Sequence, residues 1–297
     1  MRYAITGATG LIGGALVASL TAEGHTATGV SRSPESAPAR TPGLSAAFAP
    51  DDPDAYRGAD VVVHLAGEPV PGRWTQAKRA KIRDSRVEGT RQLVDLLGGL
   101  PEAERPRALV SSSAVGYYGD RGDEELDEAS APGDDFLAGI CREWEGEALR
   151  ATDLGVRVVC LRLGIVLSPA GGALKQMLLP AKLGLTGPLG NGRQWWSWLH
   201  LDDAVRLIRF AAEGDLEGPL AAVSGAPVQQ RDFARTLGRV LGRPAFLPAP
   251  AWALKAALGG FAAEVLTSKR LLPRRAIAAG FRFDHGDLEG ALRNLVG

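Results

Sequence analysis

Apolar and polar positions along the first half of the chain follow two rhythms. Arg2 to Thr6 (RYAIT) is a short apolar run that stops at a glycine turn, and Leu11 to Ala22 then carries apolar residues at helical spacing. Gly24 ends that helix, and His25 to Val30 (HTATGV) reads as a second strand. Val61 to Leu65 (VVVHL) is almost wholly apolar, as befits a strand covered on both faces of a parallel sheet. Thr75 to Leu97 predicts a long helix, closed by Gly98-Gly99 and by proline punctuation at Pro101 and Pro106. Ala108 to Ser112 (ALVSS) and Val156 to Leu161 (VRVVCL) predict two more strands, with a helix from about Asp135 to Ala151 between them. Strands alternating with helices build βαβ units, so the fold class is α/β with a doubly wound parallel sheet.

Beyond residue 165 glycine and proline become dense (SPAGG, LGLTGPLGNG). Ala204 to Ala212, Arg231 to Leu241 and Trp252 to Leu258 predict helices, and Leu271 to Val296 predicts a short helix, a bend through Gly280 and a final helix. The expected organisation is a nucleotide-binding domain over 1–165 and a smaller, mixed, substrate-side portion over 166–297. Segments of the later chain are free to return and complete the sheet.

Charge and composition then narrow the function. Lys+Arg and Asp+Glu both number 34 in 297 residues, which argues against a nucleic-acid or anionic-membrane surface as partner. Two cysteines, Cys141 and Cys160, cannot make a disulfide framework, so a reduced, cytoplasmic setting is expected. The opening residues run straight into the first strand, with no signal-peptide pattern, and no apolar run reaches the roughly 18–20 residues of a membrane helix. A small-molecule substrate is the expected partner, and the oligomeric state is left open.

Gly7-Ala8-Thr9-Gly10-Leu11-Ile12-Gly13 follows the first strand and opens the first helix. Such a turn needs residues without a Cβ, so that backbone N–H groups and the helix N-terminus can approach a pyrophosphate; the last glycine lets helix and strand pack closely. With strand, turn, helix and next strand in sequence, the pattern predicts a Rossmann-type dinucleotide site. At the end of the second strand, where an NAD site usually carries an acid for the ribose hydroxyls, the chain has Val30-Ser31-Arg32-Ser33. Arg32 can pair with a 2′-phosphate and Ser31 can donate to it, so NADP(H) is the expected cofactor.

The chain resembles the extended short-chain dehydrogenase/reductase superfamily and, within it, the atypical epimerase-like proteins described as sugar-nucleotide epimerase-related. The resemblance is carried by TGATGLIG at 6–13, VSRSP at 30–34, HLAGEP at 64–69, RWT at 73–75, IRDSRVEGT at 82–90, SSSAVGYYGDRGDE at 111–124 and GGALKQMLLPAKLGLTGPLGNGRQWWSWLHLDD at 171–203. It implies that Leu65, Ala66, Gly67, Arg86, Ser111 and Val166 line the cofactor cleft and that Ser113 occupies the superfamily's catalytic serine position. It also implies a family-specific C-terminal segment over about 248–297. Some relatives are associated with cell or plastid division.

The superfamily's Tyr-x-x-x-Lys pair is missing. On the helix that would carry it, the candidate alignments pair Phe136 with Ile140 or Leu137 with Cys141. Tyr117 is therefore the candidate proton donor, with Tyr118 beside it on the substrate side. Cys141 fits a core position on an apolar face. Gln194-Trp195-Trp196-Ser197-Trp198-Leu199-His200 gathers half of the six tryptophans, and Trp196, Trp198, Arg193 and His200 are expected to meet substrate. Asp202 reads as the cap of the following helix. The four histidines have no metal-ligand spacing, so no metal is expected. The expectation is an NADP(H)-binding oxidoreductase or epimerase-like protein of atypical mechanism, acting on a small carbonyl or sugar-type substrate. The rival is a regulatory protein that binds NADPH without turnover.

Overall fold

The computed structural model describes all residues 1–297. Seven parallel strands form the central sheet: β1 (Arg2–Thr6), β2 (Thr26–Val30), β3 (Leu44–Phe48), β4 (Val61–His64), β5 (Ala108–Ala114), β6 (Arg157–Leu163) and β7 (Gly218–Ala222). Their spatial order is β7-β6-β5-β4-β1-β2-β3, so the chain reverses direction across the sheet between β1 and β4. Side chains alternate between two cores, as the pleat requires. Tyr3, Ile5, Val61, Val63 and Val110 pack into one, while Ala4, Val62, Leu109, Val158 and Cys160 pack into the other.

Helix α1 (Leu11–Ala22) covers the first face. Helices α2 (Gln76–Gly99) and α3 (Phe136–Leu149) cover the second. Thr75 caps α2 by accepting the Lys78 amide, and Asp135 caps α3 by accepting that of Ala138. These boundaries lie within two residues of those the sequence pattern predicts.

The chain after residue 165 is not a separate body. Helix α4 (Gly172–Lys182) leads into the tryptophan-rich segment. Helix α5 (Leu201–Glu213) then joins α1 on the first face, and β7 adds the seventh strand beside β6. Helices α6 (Gln230–Val240), α7 (Ala251–Leu258) and α8 (Leu288–Val296) form a smaller second lobe. Its core brings Trp196 and Trp198 together with Phe233, Leu237 and Leu292. Asp203, fully buried, accepts the amides of Asp284 and His285 and the Arg206 guanidinium, fastening the C-terminal segment to helix α5. No helix is long and apolar enough to cross a membrane.

Candidate cofactor and substrate cleft

The strand order reverses at β1 and β4, and the C-terminal ends of these strands open a crevice there, as in other doubly wound sheets. The glycine turn lies at the end of β1. Gly7 has φ +72°, and a Cβ there would come 2.9 Å from the Leu65 backbone. A Cβ on Gly13 would come 2.3 Å from the Gly7 carbonyl oxygen. Gly10 begins α1 with no side chain capping it, so the first-turn N–H groups are left for an anion. A chamber of about 410 Å³ lies over this turn, walled by Gly7, Gly10, Leu11, Ile12, Gly13, Leu65, Ser112 and Val166 among others. Thr9 lies in the same turn without joining the wall. These residues fit a dinucleotide pyrophosphate.

His64 fixes the adjoining strand end. Its ring is buried between the hydroxyls of Thr6 (2.7 Å) and Thr90 (3.0 Å), and burial pulls its pKa down to about 4. The Thr6 hydroxyl also accepts the amides of Leu65 and Ala66, which sets the course of 65–67 along the crevice. Arg86 packs against Gly67, where a Cβ would stand 3.4 Å from the guanidinium carbon. Arg86 donates to the carbonyls of Glu68 and Ile82 and stacks on Trp144, with no carboxylate partner. Ser31 and Arg32 follow the end of β2 outside the enclosed chambers, Arg32 being exposed. The Lys78 hydrogen bond (2.7 Å), with the charges of Lys78, Lys81 and Arg32 behind it, holds the Glu68 carboxyl below its ordinary range. Lys78 and Lys81 lie in the first two turns of α2. The fold brings them to the Arg32 corner.

A second chamber of about 220 Å³ lies where the missing pair would stand. Leu137, Ile140, Cys141 and Trp144 of α3 face Ser112, Ser113 and Arg86 across it. Burial pushes the Cys141 thiol up to about 12, so it is a packing residue. Strand alternation sends Ser111 and Ser113 towards α2 and α3 and Ser112 to the opposite face. Ser111 is buried and lines none of the chambers, and it is Ser112 that borders both. Ser113 is 2% exposed, and its hydroxyl donates to Glu145 Oε1 at 2.6 Å.

Glu145 also takes two hydrogen bonds from Arg162, a buried cation that follows the apolar run Val158–Leu161 in β6. Burial penalises the Arg162 charge, but the Glu145 carboxylate outweighs it and keeps the guanidinium firmly protonated. Tyr118 is fully buried with its hydroxyl accepting from Arg162, and the Tyr117 ring lies 3.5 Å under the same guanidinium. Arg162 thus engages the Tyr118 hydroxyl and the Tyr117 ring face, and neither tyrosine, expected from sequence at the proton-donor and substrate positions, is among the residues lining the three chambers.

The third chamber, about 390 Å³, joins the other two along Ala114, Leu137, Leu163 and Gly164. Trp196 lines it, but three other expected substrate residues do not. Trp198 is buried in the lobe core and donates to the Ala226 carbonyl. Arg193 is exposed on a turn formed with Asn191. His200 is buried, stacks on His285 at 3.8 Å, and itself caps α5 by accepting the Asp202 amide, a role sequence reasoning gave to Asp202. Trp195, not singled out from sequence, lines the chamber instead, as do Glu264 and Lys269. No local motif marks the last two, because loop packing brings them there.

The sheet, its reversal point and the uncapped glycine turn define a dinucleotide-binding protein of the doubly wound class. The chain belongs to the NAD dependent epimerase/dehydratase family, whose profile matches residues 3–220, while residues 249–295 match a domain of unknown function, DUF1731. It is 41% identical to the Epimerase family protein SDR39U1 homolog, chloroplastic, of Arabidopsis thaliana, over 100% of this chain and 87% of that protein. It is 37% identical to the Epimerase family protein YfhF of Bacillus subtilis, over 100% and 98%. The crystal structure of human epimerase family protein SDR39U1 (isoform 2) with NADPH superposes with a TM-score of 0.90 at 35% identity, covering 99% of each chain. The UDP-glucose 4-epimerase of Thermus thermophilus, in complex with NAD, shares the fold at 20% identity and a TM-score of 0.78.

Proposed function

We propose that this chain is an NADP(H)-dependent oxidoreductase acting on the carbonyl or hydroxyl of a small molecule held in the third chamber. The observation that carries the reading is the continuity of the cleft: the chamber over the glycine turn opens directly into a mainly apolar one along Leu163 and Gly164. Support for the cofactor comes from the glycine turn, from Arg32 where an NAD site would carry an acid, and from the human relative solved with NADPH. Bound there, the nicotinamide would supply or accept hydride.

The protein's part is binding and orientation. The turn and the start of α1 hold the pyrophosphate, Arg32 with Lys78 and Lys81 holds the 2′-phosphate, and Arg86 and Ser112 border the route into the chamber. Leu137 and Cys141 stand in place of a phenol and an ammonium, so these two positions of helix α3 move no proton. Proton exchange then falls to solvent or to a polar group of the third chamber.

The test is a titration with NADPH and NADH, followed by nicotinamide fluorescence, for the native protein and Arg32→Ala. The reading expects tighter NADPH binding, with most of that preference erased by the substitution. Binding of neither nucleotide would sink it. A second reading, a regulatory protein that binds NADPH without turnover, is favoured by Ser113 being tied to Glu145 rather than free for substrate. A carbonyl panel that leaves NADPH unoxidised at saturating protein would select it.

A further inference from the structure

The third chamber holds one charged pair. Glu264 and Lys269 are the only charged residues lining it, and apolar side chains such as Met177, Leu254, Leu258 and Phe261 make most of its wall. The Lys269 side chain is 6% exposed, with Nζ 3.2 Å from Glu264 Oε2 and 2.5 Å from Thr267 Oγ1. An ammonium carries three N–H donors, and these two partners use two of them. The third has no acceptor within the protein, which is costly for a buried charged donor.

Glu264 already neutralises the Lys269 charge. An anionic ligand would add a second negative charge beside Glu264 in an apolar enclosure, where an uncompensated ion is strongly disfavoured. A neutral acceptor completes the lysine's hydrogen bonds at no such cost. The wall offers neither an arginine nor an unpaired lysine to a diphosphate.

We propose that this chamber is a binding site for a neutral, mainly apolar carbonyl compound whose oxygen accepts from Lys269 Nζ, and that it is not built for a nucleotide sugar. The proposal rests on the oxidoreductase reading for its chemistry, but the binding it describes is independent of turnover. Trp195 and Trp196 line the chamber and report its occupancy.

The experiment follows tryptophan fluorescence of the protein saturated with NADP⁺ during titration with 2-nonanone, octanoate or UDP-glucose. Lys269→Met alone would strand the Glu264 carboxylate, so the variant is Lys269→Met/Glu264→Gln, which removes both charges together. The ketone is expected to bind at least tenfold more tightly than the other two probes. The double variant should weaken the ketone about tenfold or more, the scale of one lost charge-assisted hydrogen bond, and leave NADP⁺ binding unchanged. A ketone affinity unaltered by the double variant overturns the proposal. Equal or tighter binding of octanoate or UDP-glucose does so too, as does a ketone that fails to bind up to its solubility limit. Thermal shift by NADP⁺ on the same samples separates the two readings. A missing shift defeats the cofactor reading, whereas a normal shift without ketone binding defeats this inference alone.

Discussion

Ser113 donates its hydroxyl hydrogen to Glu145 across 2.6 Å, joining the end of the fifth strand to the helix that would carry a Tyr-x-x-x-Lys pair. The same carboxylate receives Arg162, so the serine is one edge of a buried ionic network. A carboxylate this deep is stable only while its partners remain. Removing one partner of a buried pair typically costs about 3–5 kcal/mol, whereas replacing both with apolar groups is often near neutral. Glu145→Leu should therefore destabilise the fold by several kcal/mol, and Glu145→Leu/Arg162→Met should recover much of the loss. Urea unfolding of the three proteins measures it, and a double variant as weak as the single one would refute the coupling.

Gly13 lies where a Cβ would meet the Gly7 carbonyl oxygen at 2.3 Å. Gly13→Ala must push the first turn of helix α1 away from the strand end. Dinucleotide binding should weaken by about tenfold or more, because the anion site is made of backbone N–H groups whose position is shared by turn and helix. Calorimetric titration with NADPH reads this directly.

His64 gives a pH dependence whose sign is fixed. The unfolded chain protonates this imidazole near 6.5, while burial holds it neutral in the fold down to about 4. Between those values the unfolded state binds more protons. The contribution is therefore complete above pH 6.5 and is lost as pH falls towards 4, by about 1.4 kcal/mol per pH unit. His64→Gln, whose amide can still bridge Thr6 and Thr90, should flatten that part of the stability profile. Denaturation midpoints at several pH values test the difference from the native protein.

Both cysteines are buried, and burial raises both thiols, Cys141 to about 12. A thiol reagent at pH 8 should find neither in the native protein and both after denaturation, since the thiolate is the reactive form. Rapid modification of Cys141 without unfolding would contradict its reading as a packing residue.

The sequence determined the elements whose signal is local. An almost wholly apolar VVVHL has to be a strand covered on both faces, and glycines at the junction of a strand and a helix have to form a turn that backbone and phosphate can share. The helix boundaries at Thr75 and Asp135 follow from capping side chains that act within three residues. Strand β3 (LSAAF) and strand β7 (GPLAA) carried little such signal. Small residues have weak strand preference, and these two segments are strands because a neighbouring edge pairs with them.

What a polar side chain does was decided by tertiary structure wherever its partner is distant in the chain. Tyr117 and Tyr118 look available beside Ser113 until Arg162, 44 residues beyond Tyr118, takes the Tyr118 hydroxyl and stacks on the Tyr117 ring. His200 resembles a pocket residue until His285 stacks on it from the C-terminal segment. Lys269 resembles a surface lysine until packing against Trp195 and Glu264 encloses it. The physical reason is common to all three. Backbone geometry and capping are set over a few residues, whereas burial and ionic partnership depend on which distant segments share a layer.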